Sequence, residues 1–426
     1  MAKSPTTTHS AATALRRRQL LTFALTAGAT LASAVQPSRT EPRVGLDKWT
    51  YIHADDSREP STGKERGDFG IGVADSNGDG WLDVASGPYF YRNPGADMTK
   101  APWPRVTLPS DPEAGPESGR RLDAGLLFSV DGNGPARDIL AQALPNIVWL
   151  HAEDPEGESW SAKVVAQMPA VGHGNGRTIK LAHIVPGNKR PDIILSAGGG
   201  THLLQIPDKP EAGSWPIMKI TQTEHDEQKG IGIGDIDGDG HLDLVLGVGI
   251  KLPQVEWWRN PADGSANWVR HSIGNTVNAA KMLEATDVNG DGRLDVVATD
   301  SENEDSHIFW FEAPADPLKE EWARHDVGRG YNGLDSLSVA DMNNDGSPDI
   351  VIGETKDRLR LVIYENVNRG TSWNEHLIDE GKESHKGALA ADFDGDGDLD
   401  IVSIAYFGFK DLHVWRNDNG RAQRTQ

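Results

Sequence analysis

The sequence predicts an all-β protein, a single seven-bladed β-propeller of four-stranded antiparallel blades whose ring is closed by the N-terminal strand. Three observations support this fold: an acidic loop motif recurs along the chain, a β-branched run follows each clear copy, and a tryptophan stands late in each unit. The last four copies begin at residues 235, 287, 341 and 392, so the repeat is about 50 residues long. Repeats of this length with several short strands are typical of propeller blades.

The acidic motif places oxygen-bearing side chains at positions 1, 3, 5 and 9 and glycine at position 6, as in residues 235–243. Ca²⁺ binds about 6–8 oxygen ligands, and alternate positions of a tight loop can converge on one ion. The glycine permits a turn that a residue with a Cβ resists. An EF-hand would add a glutamate at position 12 and flanking helices, whereas strand-forming runs such as residues 244–247 follow these loops.

We therefore predict about five structural Ca²⁺ sites, in blades 1, 4, 5, 6 and 7. Two further units carry degenerate loops at residues 131–138 and 186–192, and the sequence leaves open whether these bind metal. The predicted metal ligands are Asp75, Asn77, Asp79, Asp83, Asp235, Asp237, Asp239, Asp243, Asp287, Asn289, Asp291, Asp295, Asp341, Asn343, Asp345, Asp349, Asp392, Asp394, Asp396 and Asp400.

The recurring tryptophan gives an independent count of the units. Six of these tryptophans follow a loop, and segments such as residues 268–273 alternate in polarity as an outer strand does. The seventh, Trp49, precedes every loop, and the last unit ends after its third strand near Asn417. Residues 49–53 are therefore predicted to supply the missing fourth strand, which removes an exposed sheet edge. The other six are Trp103, Trp160, Trp215, Trp268, Trp322 and Trp373.

Composition narrows the functional classes. The formal net charge of −22 argues against a nucleic-acid partner and fits metal binding. There is no cysteine, which excludes disulfides, thiolate catalysis and cysteine-based zinc sites. Residues 1–34 combine an arginine run, an apolar run and Ala-Ser-Ala, which resembles a twin-arginine export signal, with a general secretory signal as the alternative. We expect a linker (35–47), the propeller (48–417) and a tail (418–426) in a secreted or periplasmic monomer without a membrane span in the mature chain.

The connectivity of a propeller places the acidic loops on one face and a second set of segments on the opposite face. This second set comprises the segments that lead into each innermost strand and the loops that join second and third strands; we call it the mouth face. Basic, titratable and aromatic side chains gather there although the protein is acidic. Such convergence is expected of a site for an anionic or polyhydroxylated ligand. The predicted substrate-binding residues are Arg66, Arg121, Arg177, Lys229, Lys281 and Tyr89.

Catalysis at the mouth face would need a base and a group that assists the leaving group. Histidine, or tyrosine beside arginine, can abstract a proton α to a carboxylate that arginine neutralises. The predicted catalytic residues are His173, His225, His385, Lys386 and Tyr406.

Other roles for the histidines stay open at this point. Each mouth-face histidine can be a solvated loop residue, or His173, His202, His225 and His385 can together bind Zn²⁺ or another transition metal. A second group recurs beside the outer-strand tryptophans and is predicted to be structural; it comprises His53, His271, His325 and His376.

The motif Asp-x-[Asp/Asn]-x-Asp-Gly-x-x-Asp, repeated within a four-strand unit, resembles the FG-GAP/VCBS repeat family of seven-bladed propellers over residues 48–417. That family includes adhesion and ligand-binding propellers as well as enzymes. Trp-Arg-Asn-Pro, Trp-x-Arg-His-x-Ile and Ile-Gly-Ile-Gly-Asp-Ile-Asp-Gly-Asp-Gly are together similar to the propeller domain of aldos-2-ulose (1,5-anhydrofructose) dehydratases and, more loosely, to propeller polysaccharide lyases. This resemblance implies a calcium-stabilised lyase or dehydratase that acts by β-elimination on a uronate-containing glycan or keto-sugar. The alternative is a non-catalytic propeller that binds a glycan or a protein.

Overall fold

The computed structural model describes residues 43–59, 70–113, 122–168, 179–197, 200–221, 228–248, 253–301, 304–382, 386–404 and 410–420. These residues form seven four-stranded antiparallel sheets arranged as the blades of a propeller. The predicted fold class is therefore confirmed. Within the described residues, no helix is both long and apolar enough to cross a membrane.

The strands are assigned to the blades in chain order. The first strand, β1 (Trp49–Asp55), belongs to blade 7. Blade 1 contains β2 (Gly72–Ala74), β3 (Asp83–Ser86), β4 (Tyr89–Tyr91) and β5 (Arg105–Thr107). Blade 2 contains β6 (Asp123–Phe128), β7 (Asp138–Ala143), β8 (Asn146–Ala152) and β9 (Trp160–Gln167). Blade 3 contains β10 (Ile179–Ala182), β11 (Asp192–Ala197), β12 (Gly200–Gln205) and β13 (Ile217–Lys219), with a 3₁₀ turn at Pro210–Ala212.

The remaining blades repeat this order. Blade 4 contains β14 (Gln228–Gly234), β15 (Asp243–Val248), β16 (Gln254–Arg259) and β17 (Val269–Asn275). Blade 5 contains β18 (Ala279–Thr286), β19 (Asp295–Ser301), β20 (Ser306–Glu312) and β21 (Ala323–Tyr331). Blade 6 contains β22 (Leu334–Ala340), β23 (Asp349–Glu354), β24 (Arg360–Asn366) and β25 (Trp373–Glu380). Blade 7 contains β26 (Lys386–Ala391), β27 (Asp400–Ile404) and β28 (Leu412–Asn417), and β1 completes it.

The N-terminal strand closes the ring as predicted. β1 pairs antiparallel with β28, with Trp49 opposite Asn417 and Ile52 opposite Val414. The pairing joins the two ends of the described chain in one sheet, so the last blade has no unpaired third strand. Closure at this point also brings the segment after β1 against blade 1, which matters for the mouth face.

The hydrophobic core is divided among the blade interfaces. Seven clusters of buried apolar side chains lie one between each pair of neighbouring blades. The second strand of a blade is buried on both sides, as in β15 and β23, because it faces a neighbouring blade on each side. This explains why the runs that follow the acidic loops are continuously apolar rather than alternating.

The recurring tryptophans lie at the start of the outermost strands, or one or two residues before them. Most of the indole Nε1 groups donate to a backbone carbonyl of the preceding turn, as from Trp103 to Met98 at 2.9 Å and from Trp160 to Gly157 at 2.7 Å. Each such ring thereby fixes the turn that leads into its strand. In blade 4 the observed strand begins one residue later than predicted, at Val269 rather than Trp268.

The innermost strand of blade 4 contains glycines because it packs closely against the innermost strand of blade 5. A Cβ on Gly230 would lie 2.4 Å from the carbonyl oxygen of Lys281, so only glycine allows the two innermost strands to pack this closely. The same strand leaves room for Lys180 of blade 3 to reach Glu284 of blade 5, with Nζ and Oε1 2.6 Å apart. This ion pair joins two blades that are not adjacent in the ring.

Asparagines at the ends of third strands join neighbouring blades on the acidic face. The backbone N–H of Asn260 donates to Asp243 at 2.8 Å, and its side-chain Nδ2 donates to the carbonyls of Leu242 and, in blade 3, Ile184 at 2.9 and 3.0 Å. Two further asparagines make the corresponding interblade contact, Asn93 to Phe393 and Asn366 to Val288. The ninth residue of the loop and this asparagine therefore connect a blade to the one before it.

We predict that Asn260→Ala destabilises the propeller by about 1–3 kcal/mol, because it leaves two buried carbonyl oxygens without their donor. Denaturant unfolding followed by tryptophan fluorescence measures the change. Asn267→Ala, which truncates an exposed asparagine in the same blade, is the control and should leave the free energy of unfolding unchanged. Equal stabilities for the two variants would contradict the structural role of Asn260.

Candidate metal loops and mouth-face site

The five clear acidic loops have the same hydrogen-bonded geometry. The aspartate at position 1 accepts from the backbone N–H of the glycine at position 6, as from Gly240 to Asp235 at 2.9 Å and from Gly292 to Asp287 at 2.8 Å. That glycine has a φ between 88° and 95° in all five loops, a conformation that strains any residue with a Cβ. The loops therefore present their carboxylates in one repeated arrangement, as the spacing predicts.

The ninth aspartate is buried beneath its loop. In blade 4, Asp243 accepts one backbone N–H from Ile236 and another from Asn260. Burial, with added repulsion from Asp237, raises the pKa of Asp243 to about 7. Burial likewise raises the pKa of Asp295 and Asp349 to about 7. A nearby divalent cation would offset both the desolvation of these carboxylates and their mutual repulsion.

The donor sets fit a hard divalent cation. In blade 7, carboxylate oxygens of Asp392, Asp394 and Asp400 lie within 4.8 Å of one another, and so do those of Asp394, Asp396 and Asp398. Asp398 is only 2% exposed, and its Oδ1 has no hydrogen-bond donor among the described residues. Blade 4 offers a comparable set of Asp235, Asp237 and Asp239. Oxygen-only donors at this spacing are the ligands that Ca²⁺ prefers.

The degenerate loops of blades 2 and 3 keep the structural part of the motif. Asp138 still accepts the backbone N–H of Val130, and Asp192 those of Ile184 and Val185. The remaining early carboxylate of blade 2, Asp131, forms an ion pair with Arg190 at 2.7 Å. In the described part of these two loops, no group of three acidic or histidine side chains converges.

The outer-strand histidines contact the third strand of their own blade. His325 and His376 lie 3.0 and 2.9 Å from the carboxylates of Glu312 and Glu365. His325 also stacks on Trp310, with ring centroids 4.3 Å apart. His271 stacks on Trp257 in the same way, and His53 pairs with Asp411. These contacts agree with the predicted structural role.

Most of the predicted mouth-face residues lie outside the described residues. These are Arg66, Arg121, Arg177, His173, His225, His385 and Tyr406. For Lys229 and Lys386 only the backbone is described, in β14 and β26. Their roles, and the transition-metal alternative that shares three of these histidines, stay predictions. The fourth histidine of that alternative, His202, is buried, and burial lowers its pKa.

Two predicted substrate-binding side chains, those of Lys281 and Tyr89, are described, and both are buried. Lys281 lies in the innermost strand of blade 5 and forms part of the channel wall. The Tyr89 ring is 5% exposed and is covered by two guanidinium groups, with Arg105 4.6 Å and Arg58 5.5 Å from its centroid. The Tyr89 ring therefore lies beneath two arginines, and the substrate-binding roles of Tyr89 and Lys281 stay predictions.

These residues form a seam cluster where blade 7 meets blade 1, defined here as Asp55, Arg58, Tyr89, Tyr91 and Arg105. Asp55 accepts hydrogen bonds from the Tyr91 hydroxyl and from Arg105 Nη1, both at 2.8 Å. Burial acts to raise the pKa of Asp55, but the hydrogen bonds from Ser57, Tyr91 and Arg105 outweigh it and lower that pKa. Asp55 is therefore an anion that is already paired with Arg105.

Arg58 is the charged member of the seam cluster that has no ion-pair partner among the described residues. It is 6% exposed, and its Nη1 donates to the Ser86 hydroxyl at 3.2 Å. Within the described residues its guanidinium forms no ion pair. Another buried arginine, Arg360 at 8% exposure, binds Glu354 through two nitrogens at 2.7 and 2.8 Å. A buried guanidinium without a carboxylate is costly unless a ligand supplies one.

Sequence reasoning missed Arg58 and Arg105. Arg105 lies in the outer strand β5 and so outside the segments that define the mouth face, whereas Arg58 follows the closing strand β1. One signal was present, because the segment after β1 leads into blade 1 just as the other mouth-face segments lead into their blades. The meeting of the two arginines over one tyrosine ring depends on ring closure and is not visible in the sequence.

The fold and the repeated carboxylate loops define a class of protein, a seven-bladed β-propeller with acidic loops on one face. The family model described as FG-GAP-like repeat matches residues 235–298, 287–352 and 341–403. Residues 235–403 of this propeller therefore carry FG-GAP-like repeats. The matched windows begin at the loops of blades 4, 5 and 6 and extend through the loop of blade 7.

Comparison with curated proteins and with solved structures does not assign an activity to this chain. No curated protein matches the chain significantly. One similar solved structure concerns specific recognition of non-reducing terminal N-acetylglucosamine by a lectin of Agrocybe aegerita; it shares 16% identity and covers 83% of this chain and 87% of its own, with a TM-score of 0.46. At that level the similarity carries no argument about function.

We predict that Gly292→Ala destabilises the protein by about 1–2 kcal/mol, because alanine must adopt the left-handed conformation of position 6. Thermal unfolding followed by circular dichroism measures the change. Gly213→Ala is the matched control, since Gly213 has an extended backbone with a φ of 176° and no atom lies within 4 Å of the place its Cβ would take. A Gly292 variant as stable as the Gly213 variant would contradict the loop geometry.

Proposed function

We propose that this protein is an exported, calcium-stabilised propeller that recognises a carboxylate-bearing carbohydrate, such as a uronate-containing glycan, at its mouth face. The observation that carries the proposal is Arg58, a buried arginine at the blade 7–blade 1 seam with no carboxylate partner among the described residues. The motif resemblance to carbohydrate-active propellers supports the carbohydrate part of the proposal. The export part of the proposal is supported by the signal-like pattern of residues 1–34, which lie outside the described residues.

Charge supports an anionic ligand at this place. The protein carries a formal net charge of −22, yet the seam cluster brings two arginines together with one aspartate. Arginine can donate two parallel hydrogen bonds to a carboxylate, and such charge-assisted bonds are the strong ones. A carboxylate ligand would accept hydrogen bonds from Arg58 as the Glu354 carboxylate does from Arg360.

Elimination is the second candidate at the same site. Neutralising a uronate carboxylate with arginine acidifies the α-proton, which is the first requirement of β-elimination. Tyr91 does not suit the role of base, because its hydroxyl donates to Asp55 and burial raises its pKa. The base would be one of the predicted residues His173, His225, His385 and Tyr406, with Lys386 assisting departure of the leaving group.

We predict that Arg58→Gln weakens binding of an oligogalacturonate by at least about tenfold, the effect of losing a charge-assisted hydrogen bond. Isothermal titration calorimetry measures the affinity. The neutral oligosaccharide obtained by reducing each C6 carboxylate should bind far more weakly to the wild-type protein. Arg329→Gln, on the exposed outer strand of blade 5, is the charge-matched control and should bind as the wild type does.

Arg58 is buried, so each variant must first show the wild-type circular dichroism spectrum and melting temperature. Arg58→Lys keeps the charge but loses the planar fork, and intermediate affinity is expected. Unchanged affinity of a folded Arg58→Gln variant would refute the assigned site. Absorbance of a conjugated double bond, followed with the same oligosaccharides, then separates the two candidates: a rise establishes elimination, and a flat trace with intact binding establishes a binding propeller.

For calcium, we predict that chelation lowers the melting temperature. An ion that binds only the folded state contributes about 2.7 kcal/mol per site at a free concentration of one hundred times its Kd. Re-adding Ca²⁺ should restore the melting temperature, whereas equimolar Mg²⁺ should restore less of it, because Mg²⁺ requires a tighter octahedral shell. A melting temperature that does not respond to chelation would refute calcium stabilisation.

A further inference from the structure

In blades 4, 5 and 6, the last or next-to-last residue of the third strand reaches position 3 of the acidic loop in its own blade. In blade 4, Arg259 donates from Nε to Asp237 at 2.5 Å and from Nη2 to Asp239 at 2.9 Å. In blade 5 the corresponding residue is Glu312, which accepts from Asn289 Nδ2 at 3.4 Å. In blade 6 it is Glu365, which accepts from Asn343 Nδ2 at 3.1 Å. The same strand position therefore contacts the same loop position in three blades.

The chemistry of each pair is complementary. In blades 5 and 6 position 3 is asparagine and the strand residue is glutamate, and in blade 4 position 3 is aspartate and the strand residue is arginine. Blade 1 differs, because its position 3 is Asn77 and the equivalent residue, Arg92, forms ion pairs with Glu156 and Glu158 of blade 2. Accepting from the amide Nδ2 leaves the oxygen of Asn343 turned into the loop, where it accepts the N–H of Asp345 at 3.0 Å. A carboxylate that orients a metal-ligating side chain in this way favours metal binding. Arg259 has the opposite effect, because it places a positive charge on two of the loop carboxylates.

Blade 7 shows that an arginine at this position does not by itself occupy the loop. Its position 3 is Asp394 and its strand residue is Arg416, but Arg416 binds Asp418 through Nε and Nη2, both at 2.8 Å. In blade 4 the residue at the place of Asp418 is Pro261, which offers no carboxylate. Arg259 therefore turns to the loop, and Arg416 does not.

At the loops of blades 5 and 6, Arg293 and Arg43 each bind one loop carboxylate, Asp291 and Asp345 respectively, whereas Arg259 binds two. We propose that Arg259 is a built-in counter-ion that competes with Ca²⁺ for the blade 4 loop and weakens the affinity of this loop for the ion. The inference rests on the calcium binding proposed above. Before an ion can use Asp237 and Asp239, the guanidinium must leave both carboxylates. Its side chain is 38% exposed and can move into solvent, so the loop stays available to Ca²⁺ at higher concentration.

The test is calcium titration of the full chain by isothermal titration calorimetry. Arg259→Gln should tighten one binding step by about three- to tenfold, the scale of a displaced multidentate surface ion pair. Arg259→Lys, which keeps the positive charge, should remain close to the wild type. Arg416→Gln removes an arginine from the equivalent strand position and should leave that step unchanged.

A second variant assigns the effect to blade 4. Asp235→Ala removes a ligand of the blade 4 loop, and in that background Arg259→Gln should no longer change any binding step. A wild-type protein that binds no Ca²⁺ would refute the calcium proposal itself. A wild-type protein that binds Ca²⁺ and an Arg259→Gln variant with the same isotherm would refute the role of Arg259 while leaving calcium binding intact.

Discussion

The buried aspartate at position 9 of each acidic loop is the constraint on which the propeller depends. One carboxylate accepts a backbone N–H from its own loop and another from the end of the third strand, as Asp349 does from Met342 and Asn366. Because Asn366 then donates to the carbonyl of Val288 in the preceding blade, the same contact sets the spacing between blades. The degenerate loops of blades 2 and 3 lost other carboxylates but kept this one, which separates its structural role from metal binding.

The same carboxylates are the basis of the calcium binding proposed above. Each loop gathers several negative charges above a buried one, and burial raises the pKa of that lowest aspartate. Such an arrangement is costly without a cation. The loops differ in their net charge. Arg259 lies on the loop of blade 4 and offsets part of its negative charge, whereas blade 7 carries a fifth aspartate, Asp398, that increases the negative charge. Near-identical motifs therefore need not have the same affinity for an ion.

Ring closure links the fold to the mouth face. β1 completes blade 7, and the residues that follow it place Asp55 and Arg58 against Tyr89 and Arg105 of blade 1. Asp55 neutralises Arg105 and fixes Tyr91, so Arg58 remains as the buried charge for which a ligand is proposed. A site at the closing seam would couple ligand binding to the stability of the ring, since Asp55 and Arg58 come with the closing strand of blade 7 whereas Tyr89, Tyr91 and Arg105 belong to blade 1.

The sequence by itself determined the fold, the number of blades, the closing strand and the spacing of the loop carboxylates, because these depend on local patterns repeated along the chain. The glycine at position 6 and the aspartate at position 9 could be assigned from one blade alone. Only the tertiary structure decided which charges meet. Tyr89 was predicted at the mouth face, but its burial beneath Arg58 and Arg105 follows from contact between residues on opposite sides of the closing seam. Arg259 and Arg416 occupy equivalent positions in sequence, and their different partners depend on whether a carboxylate stands two residues later.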